Sequence, residues 1–143
     1  MKKITLLIGL IYCVSVFALA QSITPDPRLD AVYSEEYLQD LTNNYTRDLQ
    51  YKNWYLDHSY TIVQIDMEKC EQMPFLKHLD PVNKIIGDNV VNVNEANFNI
   101  YMYHIERQYD RDVHYRIGST GKALILNSEL DLSRKFNKYI DEN

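Results

Sequence analysis

Hydrophobic and polar positions divide the chain into segments of different period. The first, Ile4 to Ala20, carries no charge and follows Met1-Lys2-Lys3 directly. Leu6, Leu7, Ile8, Leu10, Ile11, Val14, Val16 and Phe17 form its apolar centre, and Ala18-Leu19-Ala20 closes it ahead of polar Gln21-Ser22. A basic start, an apolar run and a small-x-small ending describe an export signal, with Ala18 and Ala20 as the residues that a signal peptidase reads. The competing reading is an uncleaved anchor, for which seventeen residues is the short limit of a bilayer span. The Ala-Leu-Ala ending favours cleavage. Cys13 lies midway through the run behind Tyr12, where no small residue makes a lipoprotein site. Residues 1–20 are therefore expected to be a signal peptide, and the product to be periplasmic or secreted with no further membrane span.

Residues 21–33 hold Pro25 and Pro27 and no periodicity, which predicts a flexible, exposed leader. From Ser34 the period becomes helical. Tyr37, Leu38, Leu41, Tyr45, Leu49, Lys52 and Leu56 fall on one face, and neither Gly nor Pro interrupts 34–58. Ser34 is the expected N-cap, with Glu35 and Glu36 complementing the helix N-terminus.

Ser59 to Asp66 switches to period two and is rich in β-branched residues, which predicts a strand. Pro74, Pro81, Gly87 and Asn92, Asn94 and Asn97 punctuate residues 67–97, where Lys84-Ile85-Ile86 and Val90-Val91 would form a short edge hairpin. Phe98–Arg107, Asp112–Gly118 and Lys122–Asn127 read as an antiparallel meander, the last two joined by Gly118-Ser119-Thr120-Gly121. Ser128 then caps a closing helix with Leu130, Leu132, Phe136, Tyr139 and Ile140 near one face. This order predicts an α+β fold over residues 34–143: a long N-terminal helix and a C-terminal helix packed on a small, mainly antiparallel sheet with its meander at 98–127.

Charge and cysteine usage narrow the function classes. The 143-residue chain has a formal charge of −5, and cleavage after Ala20 would remove Lys2 and Lys3 and no acid. An acidic chain without a Lys/Arg cluster disfavours nucleic acid as a partner. Cleavage would also remove Cys13 and leave only Cys70, so the exported domain has no internal disulfide and depends on its apolar core. Cys70 reads as a small buried apolar side chain in preference to a reactive thiol.

The most suggestive candidate surface is aromatic. A hairpin turning at Asp110-Arg111 would place Tyr101, Tyr103 and Ile105 on the same sheet face as His114 and Arg116. Such a face would stack a sugar ring or grip a peptide, although tyrosines also suit half-exposed strand positions for packing alone. Glu106, Arg107, Asp110, Arg111 and Asp112 read as a solvated, mixed-charge hairpin tip.

His58, His78, His104 and His114 show no metal-ligand spacing, so no metal site and no cofactor is implied. Asp57-His58-Ser59 is not a catalytic triad, because sequence neighbours point apart. Gly118 to Lys122 lacks the frame and following helix of a phosphate loop. Asn44-Tyr45-Thr46 fits the glycosylation acceptor pattern but is expected inside the long helix, with Tyr45 facing the core. The expectation is a non-enzymatic exported domain that binds a protein or envelope ligand. The alternatives are a structural subunit of an envelope assembly, or a small hydrolase or isomerase built from dispersed residues.

Overall fold

A computed structural model describes residues 23–80, 84–86, 93 and 95–143. The expected signal peptide with Ala18 and Ala20, and Val90-Val91 of the expected edge hairpin, lie outside these residues. The described fold is α+β, with four α-helices and two small antiparallel sheets.

The expected leader is packed on the fold in part, with Leu29 buried and Thr24, Pro27, Asp30 and Ala31 exposed. Residues Pro27–Ala31 form a 3-10 turn capped by Asp26, and Leu29 is fully buried in the main core. The Arg28 guanidinium spans Asp57 through two bonds of 2.8 and 2.9 Å and also grips Asp26. That grip holds the Asp26 carboxyl below its ordinary pKa. Asn53 accepts from the Asp26 N–H and donates to the Thr24 carbonyl, fastening the segment along the next helix.

The expected helix over 34–58 is two helices, α1 (Glu35–Asn44) and α2 (Thr46–His58), separated at Tyr45. Ser34 caps α1 as expected, accepting from the Tyr37 N–H. The break has a local cause. Thr42 bonds back to the Leu38 carbonyl at 2.8 Å, so a side chain competes with the ladder where Asn43-Asn44 already has weak helix propensity. Tyr45 is therefore 54% exposed instead of facing the core, and the acceptor triplet Asn44-Tyr45-Thr46 lies at this exposed junction. Beyond the break, α2 buries two sides. Leu49 and Leu56 enter the main core, while Trp54 packs with Leu132 and Phe136 of α4 (Glu129–Glu142).

The first sheet has strand order β1 (Tyr60–Gln64), β6 (Lys122–Leu126), β5 (Val113–Ile117). The β5–β6 hairpin turns at Gly118 and Gly121, both at positive φ. A Cβ on Gly121 would also meet the Gln64 amide at 2.7 Å and the Met67 sulfur at 2.9 Å, so this turn needs glycine twice over. The short helix α3 (Met67–Glu71) buries Cys70, whose thiol lies 3.5 Å from the Lys122 carbonyl. Ser128 caps α4, as expected, by accepting from the Asp131 N–H.

The three-stranded meander is not formed. In place of a strand over 98–107, a 3-10 turn at Ile100–Met102 leads into the two-residue β4 (Tyr103–His104). β4 pairs with β2 (Lys77–Leu79), and β2 pairs with β3 (Ile85–Ile86), giving a second sheet. The cause is Asn99. It is buried, accepts from the Tyr101 N–H and donates to the Arg28 carbonyl at 2.7 Å, which bends the chain where a strand would begin. The outer edge of β5 is taken instead by residues 74–76, with Arg116 N–H donating to the Pro74 carbonyl and Leu76 N–H to the Arg116 carbonyl.

Arg107 joins these parts. Its guanidinium donates to the Tyr55 hydroxyl at 2.7 Å, to the Asn127 carbonyl at 2.5 Å and to the Ser59 carbonyl at 3.4 Å. It is thus no part of a solvated hairpin tip. Ser59 follows α2 and Asn127 precedes α4, so one cation serves two chain reversals and the C-terminus of α2. Replacing Arg107 with Met is expected to cost about 1–3 kcal/mol, because the Asn127 carbonyl and the Tyr55 hydroxyl lose a charged donor, while the Ser59 carbonyl keeps the Asn127 N–H. The fully buried Ser59 hydroxyl has no partner among the described residues, so Ser59→Ala should cost nothing and gain up to about 1 kcal/mol. Paired urea denaturation curves check both.

Candidate functional site

A groove runs between α2, the start of α4 and the segment from Ile100 to Arg107. It consists of two adjoining cavities of about 450 and 420 Å³, which share Tyr55, Tyr101, Arg107 and Glu129. A third cavity of about 440 Å³, beside Tyr33 and His78, also reaches Tyr101. Tyr101 thus stands where three concavities meet.

The local fold explains this position. The Asn99 turn directs the Tyr101 ring against Tyr33 at 5.7 Å, edge to face, and Tyr55 at 5.2 Å. Tyr33 closes the N-terminal strap, and its hydroxyl accepts from the Lys52 ammonium at 3.0 Å. The same ammonium lies 4.5 Å from the Tyr33 ring centre, 5.5 Å from that of Tyr101 and 5.8 Å from that of Tyr37. Its charge is held by aromatic faces and a phenol. Arg107 adds a second cation, 4.8 Å from the Tyr55 ring centre.

Burial raises the pKa of Tyr101, and the neighbouring Tyr33, Tyr55 and Tyr51 add to the shift against the opposing pull of Arg107. Tyr51 is raised for the same leading reason. The groove therefore presents protonated phenols, an ammonium and a guanidinium, with the Glu129 carboxylate on its rim. These groups suit a ligand rich in hydrogen-bond acceptors.

The five residues expected on one aromatic face separate into two places. Tyr101, Tyr103 and Ile105 line the groove, although Tyr103 also stacks on Phe98 at 4.8 Å and meets His78 edge to face. His114 and Arg116 stay on β5 in the other sheet, with His114 exposed and Arg116 lying 3.5 Å over the Phe75 ring. The single face failed because its hairpin does not exist. Lys52, Tyr55, Tyr33 and Arg107 were not among the candidates. Lys52 carried a signal, as a lysine on the otherwise apolar and aromatic stripe of the predicted helix. Arg107 carried none, since its neighbours Glu106 and Gln108 are polar and exposed.

Among the described residues no three His, Cys, Asp or Glu side chains converge as a metal site. His58 donates from Nδ1 to the Trp54 carbonyl at 2.7 Å and stacks on the Trp54 ring, while Asp57 turns to Arg28 and Ser59 inward. The three neighbours diverge, as expected. His104 faces Glu106. The chain matches no protein-family model, no curated protein and no solved structure. Function must therefore be argued from the groove alone.

The Tyr101 phenol is expected to stay protonated well above the ordinary tyrosine value of 10.0, and the stability its burial supplies is lost as the pH rises beyond that value. Tyrosine-selective carbon NMR during an alkaline titration checks this. A Tyr101 signal that titrates at 10.0 would contradict the described burial.

Proposed function

We propose that this chain is an exported, non-enzymatic binding domain that receives a protein or envelope ligand in the tyrosine groove. The observation that carries the reading is Tyr101, a half-buried phenol shared by three cavities and set beside an ammonium. Phenols and cations on a rigid aromatic floor favour binding by area and hydrogen bonds, with little conformational entropy to lose. Export agrees with the apolar run ending at Ala20.

The test is capture from an extract of the producing cell's envelope and medium, using the wild-type domain and two groove variants. Ser133→Trp fills the groove from the exposed face of α4, and Lys52→Met removes the caged charge while keeping the aliphatic stem. Circular dichroism establishes that each variant is folded. A partner held by the wild type and weakened about tenfold or more by either variant supports the groove as its site. A partner held equally by all three, or turnover of a substrate panel abolished by Lys52→Met, overturns the reading.

A further inference from the structure

Strand β1 is an edge strand of its sheet, and its outer side has no partner among the described residues. The bonds from the Ile65 N–H to the Gly121 carbonyl and from the Asn127 N–H to the Ser59 carbonyl fix the phase of its ladder with β6. Odd-numbered residues of β1 therefore bond inward, and Tyr60, Ile62 and Gln64 turn their N–H and C=O groups outward. Among the described residues no strand or loop bonds those groups. The opposite edge of the same sheet is treated differently, since residues 74–76 occupy the outward groups of Arg116 on β5.

Open edges are usually blocked by a charge, a proline or a bulge. Tyr60-Thr61-Ile62-Val63-Gln64 contains no charge and no proline, and its register with β6 runs without a bulge.

We infer that the β1 edge pairs antiparallel with the β1 edge of a second copy, about a two-fold axis through Ile62. The outward-bonding residues are symmetric about Ile62, so this register satisfies each of their N–H and C=O groups on both copies. It sets Thr61 against Val63 of the second copy, both on the sheet face opposite the Tyr60–Ile62 core side. The product is one six-stranded sheet that continues through both copies.

Analytical ultracentrifugation of the purified chain tests this, with two double variants. Thr61→Lys with Val63→Lys sets like charges against each other across the axis, and so does Thr61→Glu with Val63→Glu. The wild type is expected to sediment as a dimer and each double variant as a monomer. An equimolar mixture of the two is expected to regain the dimer mass. Should a double variant unfold, Gln64→Pro removes one outward N–H and no bond to β6, and it is expected to be monomeric. A wild type that stays monomeric up to its solubility limit overturns the inference, and so does a dimer that survives these substitutions. Capture of an extended peptide by a monomeric wild type would assign the edge to a different occupant and likewise overturn it. Partner capture through the groove is scored separately, so either proposal can fail alone.

Discussion

The structure depends on how one guanidinium is placed. Arg107 donates to the carbonyls of Ser59 and Asn127 and to the Tyr55 hydroxyl, and so ties the end of α2 to the start of α4. Those two helices carry the smaller apolar cluster around Trp54, Leu132 and Phe136, while α2 alone also reaches the main core. Without the tie, the Asn127 carbonyl and the Tyr55 hydroxyl would lose the donor that Arg107 supplies, at a cost of roughly 1–3 kcal/mol for each unsatisfied group. In a described chain whose only cysteine is a lone buried thiol, such side-chain ties do the work that staples do elsewhere. The Arg28–Asp57 pair and the Asn53 and Asn99 amides act in the same way on the N-terminal strap.

The groove is a consequence of these ties. Arg107 forms part of its wall, the strap delivers Tyr33, and Asn99 turns Tyr101 into the space between them. Each aromatic ring there touches another ring or a cation, which restricts its rotamers and leaves a preorganised surface. A lysine caged by tyrosines has an adequate structural purpose in joining α2 to the strap. Its position at the mouth of a cavity is what extends that purpose to binding.

Local patterns were legible where local chemistry decides. Ser34 and Ser128 act as caps, residues 60–64 form a strand, and the glycine turn at 118–121 closes the β5–β6 hairpin. The pattern failed where a distant partner decides. Tyr45 continues an apolar stripe on paper, yet the back-bonded Thr42 and the weak helix formers Asn43-Asn44 end the helix before it. The alternation of Phe98 to Arg107 is that of a strand, but Asn99 finds the Arg28 carbonyl and makes a turn. Residues 23–33 have no period because they follow the surface of α2, held by Arg28 and Asn53, and insert a single leucine into the core. The site follows the same division. Tyr101 and Tyr103 stood out as aromatics on a polar face, whereas Lys52, Tyr55 and Arg107 acquire meaning only once α2 and residues 100–107 are side by side.

The most direct test of this account is the Arg107 side-chain Nε–H resonance in a nitrogen-edited NMR spectrum. A donor held at 2.7 Å by Tyr55, on a guanidinium anchored to two carbonyls, should exchange slowly with water and show a cross-relaxation contact to the Tyr55 ring. A resonance that exchanges as fast as an exposed arginine's, with no contact to Tyr55, would contradict the tie and the groove built on it.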